Sequence, residues 1–457
     1  MVTTIQPKSN TRIILALGLG AGLIPLNSTT IAVALPAIGV HFGADDSLLS
    51  QWLIVSYLLV SVLFLGPAGK LGDIWGHGRL LRTGWVMFLI GALIGSFAAN
   101  IPQLVISRIV MGLGSALLMP SSIAAVRNSV SPEQRAPALG LLAGGLAVSA
   151  ALGPPVGGFL IHHFGWQSVF WLNLPVLALS AWLARDLDLP VPEKSAHPLR
   201  FDWIGSAGLI SLLACFVIGV RLTGWNGTLL LIASAVLTLL FVGWELRQRE
   251  PVLDVRLFRI RAFTCAILVI AVQNFGMYGV LFQMPYLLNE LYQSPANQVG
   301  LMMLATTAGM AICSPLGGRL ANQITNRWTA LLGSLCSLCG MTGLALTSNW
   351  SALLPIAPWL FLVGAGLGLN TGPAQATVLS AVDEKDAGMA SGALSVMRYL
   401  GSISGIALLG LLLAQTEIPG IQRYQLGFKL YGCAYLVCAL LAFGMKLPGL
   451  KSSPSRS

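Results

Sequence analysis

The chain has 457 residues, 55% of them apolar and only 9% charged, and its mean hydropathy is +0.79. A soluble domain carries about 25% charged residues, so a soluble enzyme or binding module is excluded and a polytopic membrane protein is expected. The net charge of +10 does not point to nucleic acid, because the basic residues stand singly in short connections, as in loops facing anionic lipid.

Apolar runs of about 18 residues or more each read as a membrane helix. Bounded by charge, Pro/Gly or Trp, they predict fourteen spans. These are 13–38, 48–68, 80–99, 102–126, 136–161, 166–184, 203–221, 228–246, 262–289, 298–321, 328–347, 352–378, 388–414 and 427–446. The first follows Lys8 and Arg12 and contains Ala32-Val33-Ala34, as a signal peptide would. It is too long for a signal core and more spans follow at once, so it is expected to be a retained helix. Trp52, Trp75, Trp166, Trp203, Trp225, Trp244, Trp328 and Trp350 fall near span ends, the place of an interfacial aromatic belt. Span 4 contains Arg108 and span 13 contains Arg398, and no acidic residue lies in the membrane with them. An ionised side chain there costs at least ~2.5 kcal/mol and so faces a polar cavity or a partner. The pair predicts a transport pathway that tolerates negative charge. The seven cysteines, including Cys336 and Cys339 in a C-x-x-C, read as small apolar residues rather than metal or redox groups.

With the N-terminus in the cytoplasm, 21 Lys and Arg residues fall on the cytoplasmic side and 3 on the outer side, with Arg108 and Arg398 between. A wrong parity would mix the sides, so the bias predicts an even number of spans and two cytoplasmic termini. The longest polar connections, Arg185 to Asp202 and Arg247 to Arg261, bracket two helices with few polar groups. The expected division is a six-helix half (1–185), a linker (186–261) holding an inserted hairpin of spans 203–221 and 228–246, and a second six-helix half (262–457). An internal repeat agrees: Gly69-Lys70-Leu71-Gly72-Asp73 after span 2 is echoed by Gly318-Arg319-Leu320-Ala321-Asn322 after span 10. Paired halves with a site near the midplane are a transporter architecture.

The segment Gly69-Lys70-Leu71-Gly72-Asp73-Ile74-Trp75-Gly76-His77-Gly78-Arg79 resembles the loop signature of the major facilitator superfamily, with Ile74 and His77 where basic residues are usual. Span 5, with Gly140, Ser149, Gly153, Pro154, Pro155, Gly157 and Gly158, resembles that superfamily's antiporter signature. Leu26-Asn27-Ser28-Thr29-Thr30, Gln51-Trp52, Tyr57, Trp166 to Pro175, Asp202-Trp203-Ile204-Gly205, Leu257-Phe258-Arg259 and Gly388 to Gly392 with Arg398 look like its fourteen-span drug/proton antiporter branch. The resemblance implies an all-α membrane protein of the major facilitator fold, exporting small amphipathic compounds by proton-driven alternating access. It implies gating roles for Gly69, Asp73, Gly76, Arg79, Gly153, Pro154, Gly157 and Gly158, and a pathway role for Arg108.

That branch usually carries an aspartate where this chain has Asn27, so cationic substrates and ordinary proton coupling are put in question. Arg108 cannot itself deprotonate; its expected partners are carbonyls, Asn27, Gln51 or a substrate anion. Further polar groups at membrane depth are Tyr57, Gln273, Asn274, Tyr278, Gln283, Asn370, Thr371 and Gln375. Each can serve interhelical hydrogen bonding, and as a set from spans 2, 9 and 12 they are expected to line a cavity. The expected function is secondary active efflux of small amphipathic compounds or drugs. The alternative is an importer or specific metabolite exporter of the same fold, with anionic or neutral substrate. A membrane enzyme would need a catalytic constellation at depth, and His41, His77, His162, His163 and His197 all lie outside the core. No catalytic residue, metal or cofactor is expected. Expected partners are a small-molecule substrate, protons and the bilayer, with no nucleic acid. The chain is expected to act as a monomer in the inner membrane, a periplasmic adaptor being left open.

Overall fold

The structure, a computed structural model, describes residues 7–43, 51–130, 135–185, 202–222, 224–248, 251, 253–347, 353–382, 387–415 and 418–446. Helix α1 is Pro7–Phe42. A π-turn, Gln51–Val55, runs into α2 (Ser56–Trp75). Then come α3 (His77–Ser96), α4 (Ile101–Ser129), α5 (Arg135–Phe164) and α6 (Ser168–Trp171, continuing as Asn173–Leu183). Next are α7 (Trp203–Arg221) and α8 (Trp225–Glu245). After a short 3-10 turn follow α9 (Arg261–Tyr292), α10 (Ala296–Ile324), α11 (Asn326–Leu346), α12 (Leu353–Ser380), α13 (Ala387–Leu413) and α14 (Gly420–Ala442).

About 20 apolar residues cross a bilayer as a helix, and in lipid every backbone amide must be satisfied within the helix. Among the described residues, ten helices meet that length and hydropathy: α1, α3, α4, α7, α8, α9, α10, α11, α13 and α14. Of two shorter apolar segments, Trp52–Leu65 runs through the π-turn into α2 and Ser168–Leu183 is α6. Local signals start the helices where the sequence places them. Asn100 caps α4 by accepting from the Gln103 amide at 3.0 Å, and Asp202 caps α7 by accepting from the Gly205 amide at 2.7 Å.

Packing partners recur along the chain. α1 packs on α5 and α6, α2 on α4, and α3 on α4; likewise α9 packs on α13 and α14, α10 on α12, and α11 on α12. Two close contacts join the sets, α5 against α10 and α1 against α9, and α2 also meets α13. α7 and α8 pack on each other, and α7 touches α2 and α13. Only 17% of the apolar window of α8 is buried, against 78% for α1, so α1 is central and α8 lies at the edge.

The segments of the internal repeat are the last turns of α2 and α10 rather than loops. Each helix stops at one residue with left-handed backbone, Gly76 (φ 92°) and Thr325 (φ 95°). Both donate their amide four residues back, Gly76 to the Gly72 carbonyl at 2.9 Å and Thr325 to the Ala321 carbonyl at 3.0 Å. The next helix starts at once. Glycine enters that region freely; threonine does so only under strain.

Candidate functional site

Arg108 is wholly buried on α4. Its Nε donates to the Leu53 carbonyl at 2.9 Å, in the π-turn before α2, and its Nη1 donates to Asn27 Oδ1 on α1. The guanidinium lies 4.3 Å from the centre of the Tyr57 ring, a cation–π contact worth up to about 2 kcal/mol when desolvated. Tyr57 in turn donates to the Ile24 carbonyl at 3.2 Å. Nη2 of Arg108 is buried without a hydrogen-bond partner among the described residues. Three of the expected pathway residues, Asn27, Tyr57 and Arg108, are therefore one cluster on α1, α2 and α4. Of the partners open to Arg108, the structure selects Asn27 and a carbonyl.

Asn27 is held from behind. Its Nδ2 faces Asn173 Oδ1 at 3.4 Å, and Asn173 is anchored to the carbonyls of Val169 and Phe170 at 3.1 and 2.9 Å. An amide can give and take at once, so Asn27 accepts from Arg108 and donates to Asn173. Among the described residues no carboxylate side chain hydrogen-bonds or ion-pairs within this cluster.

The cluster continues across the seam to α9 and α13. Ser28, next to Asn27, shares a hydrogen bond of 3.2 Å with Tyr278 on α9. Arg398 and Tyr399 are neighbours on α13, which packs on α9 and also meets α2. Arg398 is half-buried, unlike Arg108. The helices that carry Arg108, Arg398 and the phenols of Tyr57, Tyr278 and Tyr399 are thus joined by packing from one set to the other. Ser28, Asn173 and Tyr399 are not among the expected pathway residues. Their signal in the sequence is weak: Ser28 and Asn173 sit in stretches that carry only the family resemblance, and Tyr399 adjoins Arg398.

Other expected pathway residues lie elsewhere. Gln273 is buried and ties α9 to α12, donating to the Leu367 carbonyl at 3.0 Å and to Thr371 Oγ1 at 2.6 Å, while its Oε1 is buried without a partner among the described residues. Asn274 turns back on its own helix, donating to the Ile270 carbonyl at 2.8 Å. Asn370 is buried against α11, where it meets the Ser334 hydroxyl at 3.2 Å. Gln375 is half-buried near the end of α12. The side chain of Gln51 lies outside the described residues, as does that of Asp73.

The glycine-proline stretch of α5 sits between α1 and α10. Thr29 donates to the Ala150 carbonyl at 3.0 Å and Thr30 to the Gly153 carbonyl at 3.3 Å. On the other side a Cβ on Gly158 would run into the Ala296 carbonyl and lie 3.0 Å from Cα of Gly300. One on Gly300 would be 2.7 Å from the Pro154 carbonyl oxygen. Gly157 packs on Thr30, with the Thr30 carbonyl 3.1 Å from where its Cβ would be. Beside this contact a cavity of about 30 Å³, lined by Thr29, Ala150, Met277, Met303, Thr306 and Leu367 among others, separates the two sets of helices. That is room for no more than a water or two. Near Gly76, Gly69 has open space around it, and Arg79 is exposed.

At the other end of α9, Glu290 pairs with Arg423 at 2.5 Å and accepts from the Tyr424 hydroxyl. It is 44% exposed and belongs to a helix-end ion pair, apart from the Arg108 cluster.

Comparison with known proteins identifies the family and the fold. The family model described as Major Facilitator Superfamily matches residues 17–406 and 264–456. The chain is 33% identical over 411 residues to "Multidrug resistance protein Stp" of Mycobacterium tuberculosis (strain CDC 1551 / Oshkosh), covering 88% of this chain and 75% of that one. It is 26% identical over 429 residues to "Riboflavin transporter RibZ" of Clostridioides difficile (strain 630), covering 93% and 92%. The crystal structure of a D-xylose-proton symporter superposes with a TM-score of 0.71 at 14% identity, covering 95% of this chain and 97% of that one, which shows a shared fold. A buried arginine in a helical membrane protein, the recurring partnerships of its helices and these matches have one reading: the chain is a membrane transporter of small molecules and belongs to the major facilitator superfamily.

Proposed function

We propose that this transporter exports small amphipathic compounds, neutral or anionic, by alternating access coupled to protons. The observation that carries the reading is Arg108, a wholly buried guanidinium with one nitrogen unpartnered among the described residues. A guanidinium does not titrate, so Arg108 acts as a fixed positive field, and Asn27 leaves that field uncompensated. A second cation, Arg398, reinforces it. Charges of like sign at close range in a low-dielectric site interact by several kcal/mol, which disfavours lipophilic cations. The phenol rings of Tyr57, Tyr278 and Tyr399 supply apolar faces with polar tips.

The reading includes the fourteen-span drug/proton antiporter architecture. Its halves are 1–185 and 262–457, with α7 and α8 inserted and both termini cytoplasmic. Its support is the charge bias of the loops, the recurrence of helix partnerships and the edge position of α8. In that topology the α5–α10 contact at Gly158 and Ala296 closes the outer side. The 30 Å³ cavity is too small for a substrate, so binding requires the helix sets to part from the cytoplasmic side.

Efflux of a matched anionic and cationic fluorophore from everted vesicles, with and without a proton gradient, tests the reading. Gradient-driven movement of the anion in preference to the cation is expected. Strong cation export by the native protein defeats it. A second reading is a specific metabolite transporter. It is favoured by the likeness to the riboflavin transporter and by three tyrosines that suit a flat heterocycle. Uptake and efflux of riboflavin in the same vesicles would separate the two.

A further inference from the structure

Helices α3 and α6 meet at one end and part at the other. At the meeting end Gly95 receives the Phe170 ring so closely that a Cβ there would collide with it. Toward the other end α6 presents Ala178, Ala181 and Ala184, whose short side chains cannot reach α3. The result is a groove of about 410 Å³, floored by Trp85, Leu89, Leu177 and these alanines. Sites for small ligands run from about 300 to 1,000 Å³. The groove opens on the outer face of the bundle, where Val86 is 54% exposed, and it shares no residue with the Arg108 cluster.

Its rim is cationic. Arg82 on α3 and Arg185 just past α6 both line it, and both are exposed. Arg185 and Arg12 also flank the Trp182 ring, at 5.5 and 5.6 Å from its centre, and Arg12 donates to the Trp182 carbonyl at 3.3 Å. Three guanidiniums and an interfacial tryptophan therefore mark the level of the membrane surface, with an apolar trough running inward from it. A trough open to lipid accepts an acyl chain, and a guanidinium fork matches a phosphate in geometry as well as charge. A substrate in transit would have to reach the seam, which this groove does not.

We propose that the groove between α3 and α6 binds an anionic phospholipid, its phosphate on Arg82 and Arg185 and one acyl chain along Ala178 and Ala181. The test is native mass spectrometry of the full-length protein in detergent, with phosphatidylglycerol and phosphatidylcholine of identical chains. Phosphatidylglycerol should be retained in preference, and an excess of inorganic phosphate should not displace it. Arg82→Gln with Arg185→Gln should lower its retention roughly ten- to thirty-fold, the scale for two basic residues at an anionic surface. Ala178→Phe, which fills the trough and keeps both arginines, should lower retention of both lipids. Arg319→Gln with Arg327→Gln, at another cationic surface, should change neither. Equal retention of the two lipids by the native protein, or retention of phosphatidylglycerol undiminished in Ala178→Phe, overturns the proposal. The Ala178→Phe arm stands by itself if the double variant fails to insert.

Discussion

Arg108 stays at depth because each of its contacts serves a cation: a carbonyl, an amide oxygen and an aromatic face. Arg108→Ala is expected to abolish transport and Arg108→Lys to impair it, because lysine keeps the charge but loses the planar fork. The alanine variant strands the Asn27 amide oxygen, at roughly 1–3 kcal/mol, yet should still insert. Vesicle efflux normalised to inserted protein checks this, and full activity in the alanine variant would make Arg108 structural only. Asn27→Asp puts a carboxylate where Arg108 already donates. It should neutralise the surplus positive charge, shift preference toward cations and make transport more dependent on pH. The paired-fluorophore assay at two pH values reads both changes. Asn27 and Arg108 were legible in the sequence as polar groups at depth. Their bond was one of several the sequence left open for Arg108, and it could not be singled out there because 81 residues separate the two. Asn370, equally polar in sequence, turns to α11 instead. Burial forces a polar group to find a partner, and only the packing decides on which side.

At the scale of elements, the two short turns after α2 and α10 share a backbone shape but not a residue type. Thr325 holds a left-handed φ that Gly76 holds without strain. Thr325→Gly should therefore raise thermal stability, by about 1 kcal/mol from the relief of left-handed strain. A thermal unfolding series in detergent measures it, and a lowered midpoint would show that the Thr325 side chain outweighs its backbone. α5 makes the opposite demand. Gly158 lies where α10 comes closest, and any side chain there meets backbone that cannot rotate away. Gly158→Val is expected to insert normally but to lose transport more than ten-fold, since the two sets of helices could no longer close at that end. Cross-linking between cysteines placed near Gly158 and Gly300 would fall in parallel, and unchanged cross-linking would refute the gating role. The glycines of α5 could be seen in the sequence; that Gly153 and Gly157 face α1 while Gly158 faces α10 could not, because periodicity does not name the neighbour.

For the whole molecule, the proposed topology puts Lys194 and Arg256 in the cytoplasm and the turn from Trp225 to Thr228 outside; position 194 lies outside the described residues. Single cysteines in a cysteine-free version should label at 226 from outside intact cells and at 194 only after permeabilisation. Labelling of position 194 from outside would sink the fourteen-span arrangement.

Hydropathy alone determined that the chain is built of apolar helices long enough to cross a membrane, ten of them among the described residues, because bilayer thickness sets a length and a composition that can be counted along a sequence. The motifs of α2, α5 and α10 determined the family for the same reason: they are local, each within a turn or two of helix. Tertiary structure decided which helices touch, that Tyr278 crosses to Ser28, that Gln273 and Asn370 brace the helices around them, and that α3 and α6 part to leave a groove. These are relations between faces of helices far apart in the chain. In lipid, where the hydrophobic effect does not choose between helix faces, close packing and hydrogen bonds make that choice.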